Sequence, residues 1–417
     1  MIEIWILAAA SAGAIYLLIA LFFGARVFPS WLNPGSYGFI SLLVFFLIPS
    51  IFYFDATSPV WLLYVLHALG CVAGLFLARR QLVYPSSSEL QKDYAPDLIG
   101  GRAALIGLFG SLCIFFIFFG FAVPPLFGED PELARGEYLS DKAKALRIIN
   151  YGIPFFGFIV LSRLKAAGTR LGMSLFYGLL ALLCILSTYG GNKSNVFSLL
   201  LMWIFFRSYI YPPGQNRSGV AILILAILSI GLAVFISVPG NFIGFLAYRL
   251  FDNNLAGLRL SIEYVDREGF LFGDGILVPL KILFSKLAMI DYQPRWQTLG
   301  NFMAKYESGA GDDYPYEYLN TMIGDAYLDF GPYGVFAYPC LSIFAFSLFF
   351  RCVKLNHTAS TRMLWFCISY AFMQMTYIGK VGSYFTSAIA SYLSFWVIQK
   401  IIELILVKCR RGKGDAM

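Results

Sequence analysis

Arginines that could bind an anionic substrate group are concentrated in one long polar segment, Pro239–Gly331, of an otherwise apolar chain. Arg249 follows a run of apolar residues, and Arg295 lies in an aromatic-flanked turn. A guanidinium group binds phosphate oxygens in bidentate fashion and stacks on aromatic rings, so we predict that both bind substrate. Arg259 is a third candidate. Its alternative role is an ion pair, since Glu263 lies four residues further along a predicted helix.

Acidic and tyrosine side chains alternate near the end of the same segment. The run contains Asp312, Asp313, Tyr314, Tyr316 and Glu317. Such residues suit sugar recognition, because carboxylates accept hydrogen bonds from hydroxyl groups and aromatic rings stack on sugar faces. The acids are also possible general bases. The alternative is an aromatic belt at a membrane interface, with its acids in contact with water.

A glycine-rich turn, Gly190–Asn195, separates two apolar runs. A turn of this kind that enters a helix exposes backbone N–H groups, and these favour anions. Lys193 adds a positive charge, and Asn195 adds a polar side chain. The alternative is a simple connection between helices, with Ser194 or Asn195 capping the second helix.

Histidine and metal chemistry are not expected in the polar segment. The chain has two histidines, His67 in an apolar run and His357 in a basic connector, and neither lies in that segment. The seven cysteines form no C-x-x-C pair, so neither a zinc site nor a disulfide framework is predicted. We expect no metal and no cofactor.

The composition is that of an integral membrane protein. The 417 residues are 59% hydrophobic and 13% charged, against about 25% charged in soluble domains. The formal charge of +7 is explained by the Lys and Arg residues that collect in cytoplasmic loops. Nucleic-acid binding is not expected, because no basic run with interleaved aromatics occurs outside the membrane pattern.

The apolar runs predict an all-α polytopic fold with about eleven transmembrane helices, each close to the ~20 residues that cross a bilayer. The predicted spans are Ile2–Phe23, Ser36–Phe54, Val60–Ala78, Ala103–Pro124, Ile148–Ser162, Leu171–Ser187, Val196–Tyr211, Gly219–Val238, Gly331–Phe350, Met363–Ile378 and Ser383–Val407. The first span lacks the basic start of a signal peptide. The basic C-terminal tail places the C-terminus in the cytoplasm, and the N-terminus and the polar segment on the opposite side.

Three segments follow from this map. Residues 1–238 form an N-terminal transmembrane bundle of about eight helices. Residues 239–330 form a large loop, in which Asp252–Arg267 has the spacing of an amphipathic helix and Ile276–Ile290 suits an interfacial or re-entrant helix. Residues 331–417 form the C-terminal helices and the basic tail.

Two motifs resemble those of the Wzy-type oligosaccharide repeat-unit polymerases, which include the O-antigen and enterobacterial common antigen polymerases. Tyr189–Asn195 is similar to a Gly-Gly-x-Arg-x-Asn element that opens a helix, with Lys193 where arginine is usual. Ile323–Gly334 is similar to the segment that re-enters the membrane after the large loop. Some members also show an arginine and a glycine separated by fifteen residues. Arg259/Gly275 and Arg295/Gly311 fit that spacing.

The resemblance implies a GT-C-like fold in the bacterial inner membrane, with the large loop in the periplasm. It implies transfer of a growing glycan from undecaprenyl pyrophosphate to the terminal sugar of a new lipid-linked unit. Four cations would hold the pyrophosphate: Arg249, Arg295, Lys193 and Arg259. One of three acids would activate the acceptor hydroxyl: Glu263, Asp313 or Glu317. Asn195, Tyr314 and Tyr316 would complete the substrate contacts. The expected partners are lipid-linked oligosaccharides and membrane lipids, with a chain-length regulator protein as a further candidate.

Three other functions compete with this interpretation. An O-antigen ligase relies on a histidine in its large periplasmic loop, and the Pro239–Gly331 segment has none. A lipid-linked oligosaccharide flippase or transporter usually carries charged groups within its spanning helices, and the predicted spans are almost free of charge. A structural scaffold would not need the arginines of the polar segment.

Overall fold

The protein is an all-α polytopic membrane protein. The computed structural model describes residues 2–28, 32–82, 98–120, 147–189, 193–210, 253–275, 278, 281, 285, 299–309, 321–356, 358–378 and 384–414. Within these ranges nearly every residue is helical and no strand occurs. The described residues form thirteen α-helices: α1 Ile2–Phe22, α2 Pro34–Leu42, α3 Ile48–Tyr53, α4 Val60–Ala78, α5 Leu98–Phe119, α6 Ile153–Ala167, α7 Arg170–Thr188, α8 Lys193–Ile210, α9 Asn253–Glu268, α10 Leu299–Ser308, α11 Met322–Leu355, α12 Ala359–Ile378 and α13 Ala390–Gly414.

Eight helices in the described ranges are long and apolar enough to cross a membrane. They are Ile4–Val27, Pro34–Tyr53, Val60–Ala78, Leu98–Phe119, Ile148–Ala167, Arg170–Thr188, Met322–Leu355 and Ser387–Cys409. Each corresponds to a span predicted from the sequence.

The remaining three predicted spans are not among these eight helices, each for a different reason. Val196–Arg207 is apolar but shorter than a full span. The predicted span 363–378 lies in α12, which is absent from the eight because polar residues such as Arg362 and Gln374 lower its hydropathy. The predicted span 219–238 lies outside the described residues.

Several of the spans contain a π-helical turn. The second span, Pro34–Tyr53, consists of α2, the π-turn Leu43–Leu47 and α3. A π-turn inserts one residue into the helical ladder and widens the helix at that point. Asn33 caps the start of α2, because its side-chain oxygen accepts a hydrogen bond from the Ser36 N–H at 2.8 Å.

The chain divides into two compact units. The first unit contains Met1–Tyr84, Ser237–Arg351 and Ile368–Ala388. The second unit contains Pro85–Ile236, Cys352–Cys367 and Ile389–Met417. The first unit therefore includes the whole of the long polar segment, together with spans from the start and from the later part of the chain.

Close approach of two helices in the first unit depends on a pair of glycines. A Cβ atom on Gly70 of α4 would lie 2.2 Å from the Phe336 carbonyl oxygen of α11. A Cβ on Gly74, one turn later, would lie 2.7 Å from the Cys340 carbonyl oxygen. Small residues four positions apart let transmembrane helices pack with their backbones close together.

Packing in the second unit is dominated by aromatic side chains. Trp203 of α8 is fully buried, and its ring lies 5.3 Å from that of Phe158 and 5.7 Å from that of Phe176.

A hydrogen bond also joins two helices of the second unit, α13 and α5. It is 2.9 Å long and runs from the Gln399 Nε2 to the Gly100 carbonyl oxygen.

Candidate functional site

Helix α9 lies within the long polar segment and is amphipathic, as its sequence predicts. It runs from Asn253 to Glu268, and Leu255, Leu258 and Ile262 are buried on one face. These positions follow the i, i+3, i+7 spacing of a helix with one buried stripe. The predicted helix Asp252–Arg267 is thus confirmed to within one residue at each end.

Helix α9 has a contact partner in the membrane-crossing part of the first unit. Helix α9 packs against the π-turn Leu43–Leu47, which is the middle of the second span. This part of the polar segment is therefore held directly against a membrane-spanning helix.

Arg259 lies on the outer face of α9, between two carboxylates. Its Nη2 is 2.9 Å from the Glu307 Oε1, and its Nε is 3.7 Å from the Glu263 Oε1. The predicted i,i+4 pair with Glu263 is confirmed. The three side chains are 37–42% exposed, although the Arg259 Nε itself is buried.

Glu307 was not among the site residues predicted from the sequence. It lies 48 positions from Arg259, on α10, and no local spacing links the two helices. The residues around it, Lys305 to Ser308, have the composition of an ordinary charged helix end. Only the packing of α10 against α9 brings this second carboxylate to the arginine.

Aromatic rings surround the same helix pair. The Tyr264 ring lies 5.1 Å from the rings of both Phe302 and Tyr306, with interplanar angles of 75° and 78°. Edge-to-face pairs of this kind fix ring positions and fasten α9 to α10. We call Arg259, Glu263, Glu307 and these three aromatic residues the Arg259 cluster. It combines a cation, two acids and aromatic surface, which are the groups that bind sugars and phosphates.

Two buried carboxylates lie just before a break in α11. Asp325 and Asp329 are 2% and 0% exposed and one helical turn apart. The helix is interrupted at Phe330 and Gly331, where Gly331 has φ 62° and ψ −150°, and Pro332 follows. Glycine adopts a positive φ readily, and proline lacks the N–H that would continue the helical ladder.

The turn after α9 is fastened to α11 at this break. The Asp329 Oδ1 accepts a hydrogen bond from the Gly275 N–H at 2.9 Å. Two backbone bonds flank it, from the Leu271 N–H to the Leu328 oxygen at 3.0 Å and from the Phe272 N–H to the Asp329 oxygen at 2.8 Å. The turn that leads out of the Arg259 cluster is thereby anchored to a membrane-crossing helix.

Asp325 and Asp329 are thus a pair of buried acids at the break of a membrane-crossing helix. The sequence contained a signal for this group, since Asp325 and Asp329 lie in the motif that resembles the membrane-re-entering segment of the polymerases. These two acids were not predicted as site residues, because acids in that motif are equally typical of a membrane interface in contact with water.

The other predicted site residues are placed in part. Lys193 begins α8 and Asn195 lies in its first turn, in agreement with a helix that opens after the Gly190–Gly191 turn. The remaining predicted residues lie outside the described ranges: Arg249, Arg295, Asp313, Glu317, Tyr314 and Tyr316. In the described ranges no three His, Cys, Asp or Glu side chains are grouped in a way that could hold a metal ion.

His67 forms a buried link between helices of the first unit. Its Nε2 lies 2.9 Å from the Thr376 carbonyl oxygen, and its Nδ1 lies 2.8 Å from the Tyr16 hydroxyl. The carbonyl can only accept, so Nε2 carries the proton and Nδ1 accepts from tyrosine. Both ring nitrogens are used in holding α1, α4 and α12 together. His357 lies outside the described residues.

Comparison with protein-family models, with curated proteins and with solved structures found no match for this chain. The likeness to the Wzy-type polymerases therefore rests on the short motifs and on the arrangement of apolar runs around one large polar segment.

Proposed function

We propose that this protein is a glycosyltransferase that joins lipid-linked oligosaccharide repeat units at the outer face of a bacterial inner membrane. The observation that carries the proposal is the Arg259 cluster. It combines a half-exposed guanidinium, two carboxylates and aromatic rings on a helix that packs against the middle of a membrane span. A sugar substrate with a membrane-embedded carrier needs these groups at this kind of position.

The proposed reaction forms one glycosidic bond and breaks one bond to a phosphate. The acceptor hydroxyl oxygen attacks the anomeric carbon of the growing chain. The bond from that carbon to the lipid pyrophosphate breaks, and the pyrophosphate leaves with the electron pair. A carboxylate takes the hydroxyl proton. We assign this role to Glu263, with Glu307 as the second acid that holds Arg259.

Arg259 would act on the substrate through the exposed part of its side chain, since its Nε is buried. The hydrogen bond from its Nη2 to Glu307 orients the guanidinium, and the two carboxylates outweigh its single positive charge, so the cluster carries a net charge of −1. A pyrophosphate therefore requires additional cations, and the proposal keeps Arg249, Arg295 and Lys193 in that role. A bidentate guanidinium contact suits a departing phosphate better than a single ammonium group does.

A transporter of lipid-linked oligosaccharides is the second candidate function. One observation favours it: Asp325 and Asp329 are buried within Met322–Leu355, a helix long and apolar enough to cross a membrane. Ionisable residues inside spans are costly and commonly mark substrate or proton pathways. Here, however, Asp329 already accepts a backbone hydrogen bond that fastens a turn, which is a positioning role.

Purified protein in liposomes with a defined lipid-linked repeat unit separates these functions. The proposal expects a ladder of longer lipid-linked glycans from the wild-type protein. Arg259→Ala should lower ladder formation by roughly 10²-fold, the order found when one electrostatic contact to a transition state is removed. Arg267→Ala, on the exposed last turn of the same helix, is the matched control and should retain the ladder. Transport without new linkages, or transfer to lipid A core, would refute the proposal.

A further inference from the structure

A short turn follows α9 in the first unit and carries one exposed aromatic ring at its tip. The turn comprises residues 269–275, and the Phe272 side chain is 75% exposed. Charged side chains flank the tip in the chain, since Glu268 at the end of α9 and Asp274 beyond the tip are both exposed. An exposed aromatic ring with charged neighbours is typical of a membrane–water interface. The Arg259 cluster makes no use of this ring.

The backbone at the tip is held in a conformation that phenylalanine rarely adopts. Phe272 has φ 50°, and it is the single non-glycine residue with a positive φ among the residues that the structure describes. For a bulky side chain this conformation is an outlier, and glycine or asparagine is the usual residue. Strain of this kind is concentrated at functional positions. The ring gains little packing against protein in return, because most of its surface is exposed.

Contacts with α11 impose this conformation. The Phe272 N–H donates to the Asp329 carbonyl oxygen at 2.8 Å, immediately before the break in α11. Behind the tip, the Phe270 ring fills the space left by Gly331, where a Cβ would lie 2.7 Å from the Phe270 Cζ. The Phe270 ring also meets that of Tyr327 edge to face, with centroids 6.0 Å apart. The turn is therefore fixed at the break, with one phenylalanine packed against α11 and the other exposed.

The break in α11 lies at one boundary of the hydrocarbon core. Arg351 is exposed near the other end of the same helix, where an exposed charge marks the opposite boundary. About twenty residues separate Gly331 from Arg351, which is roughly 30 Å of helix and equals the thickness of the core. Between them, Tyr333 and Leu341 are 86% and 61% exposed on the face of α11 that meets lipid. Phe272 therefore lies level with the end of that face.

Other side chains at this level have the composition of a membrane interface. Phe330 and Tyr333, at the break and one turn beyond it, are 38% and 86% exposed. Asp274, next to the tip, forms an ion pair with Lys281, and the two side chains are 59% and 43% exposed. A lysine at an interface keeps its charge in water while its stem covers apolar surface. Exposed rings with charges beside them suit a surface that meets lipid on one side and water on the other.

We propose that the 269–275 turn is a membrane anchor, with the Phe272 ring inserted among phospholipid chains at the edge of the bilayer. Phospholipid is the occupant because the exposed rings continue the lipid-facing side of α11. Insertion buries the exposed ring and offsets the strain of its backbone. Since the turn begins where α9 ends, the anchor holds that end of α9 at the boundary. The anchor is independent of the proposed function, because lipid contact at the turn needs no glycosyl transfer.

Photocrosslinking in nanodiscs of phosphatidylethanolamine and phosphatidylglycerol tests the anchor. The photoreactive residue p-benzoylphenylalanine in place of Phe272 should form phospholipid adducts, detected by mass spectrometry. Their yield should approach that from the same probe at Phe109, which is 68% exposed on a membrane-spanning helix. The probe at Glu268 should give several-fold fewer adducts.

Two outcomes of this crosslinking would overturn the inference. A phospholipid yield from position 272 no higher than that from position 268 would place the ring in water. Preferential adducts with the glycan of an added lipid-linked oligosaccharide would identify the ring as a sugar-binding surface.

Two variants distinguish lipid anchoring from backbone strain. Phe272→Asn suits the positive φ but removes the apolar ring, and Phe272→Trp keeps an aromatic ring that interfaces favour. Hydrogen exchange of the backbone amides of residues 265–275 is measured in the same nanodiscs. Loss of the anchor should speed exchange several-fold in Phe272→Asn, and exchange should stay near wild type in Phe272→Trp and in the control Glu268→Gln. Slower or unchanged exchange in Phe272→Asn would show that the substitution only relieved strain, and would contradict the anchor.

Discussion

Asp329 accepts a hydrogen bond from the backbone N–H of Gly275 at 2.9 Å, across 54 positions of the chain. The contact leaves no room for a side chain at position 275, where a Cβ would lie 2.8 Å from the same carboxylate oxygen. The glycine is therefore required by close approach, and the carboxylate is required as an acceptor. Together they fasten the turn that follows the Arg259 cluster to the break in α11.

Two replacements of Asp329 should distinguish the contribution of its hydrogen bond from that of its charge. Asp329→Asn keeps an oxygen acceptor, so we expect thermal stability and ladder formation close to wild type. Asp329→Ala leaves the buried Gly275 N–H without its acceptor, at a cost of about 1–3 kcal/mol. Thermal unfolding in detergent, together with the ladder assay, measures both effects. A stable Asp329→Asn protein without activity would instead show that the negative charge has a functional role, as a proton pathway requires.

Variants that replace either carboxylate of the Arg259 cluster should differ from each other in activity and not in stability. Glu263→Gln removes the proposed base and should lower the rate of transfer by about 10²–10⁴-fold. Glu307→Gln keeps an oxygen next to the Arg259 Nη2 and should lower the rate much less. Half-exposed ion pairs contribute only about 0.2–1 kcal/mol, so both proteins should unfold near the wild-type temperature.

Glu268→Gln is the control for these two variants, since Glu268 lies on the exposed end of the same helix. It should retain wild-type turnover. Equal rates for Glu263→Gln and wild type at equal protein levels would remove Glu263 from the reaction and leave the base to another acid.

The contact between α4 and α11 should tolerate no side chain at Gly70. Gly70→Ala places a methyl group 2.2 Å from the Phe336 carbonyl oxygen, and a backbone atom cannot move aside as a flexible side chain can. We expect a loss of about 1–3 kcal/mol from overpacking, seen as a lower unfolding temperature. Gly110→Ala is the matched control, because a Cβ there meets no atom within 4 Å. Equal unfolding temperatures for the two variants would contradict this packing.

The His67 link should contribute to stability through both ring nitrogens. Tyr16→Phe removes the hydroxyl that donates to Nδ1, which we expect to cost about 0.6–2 kcal/mol, the range found for hydrogen bonds between transmembrane helices. Tyr177→Phe, at a position 56% exposed on α7, is the control and should have no effect on the unfolding temperature. If Tyr16→Phe unfolds at the wild-type temperature, the link does not hold these helices together.

Local patterns in the sequence determined the elements of this fold. Apolar runs of about twenty residues mark membrane spans because the bilayer thickness sets their length. The amphipathic helix α9 and the Arg259–Glu263 pair also follow from spacing alone, since residues four apart on a helix are neighbours whatever surrounds them.

The tertiary structure alone decided which elements meet. Glu307 lies 48 positions from Arg259, Gly275 lies 54 from Asp329, and Thr376 lies 309 from His67. The membrane-spanning helices are apolar on nearly every face, because lipid and protein interiors accept the same side chains. Hydropathy therefore predicts that a helix crosses the membrane, and not which face of it packs against protein. That choice depends on shape and on hydrogen bonds between distant residues, such as the glycines at 70 and 74 and the acceptor at Asp329.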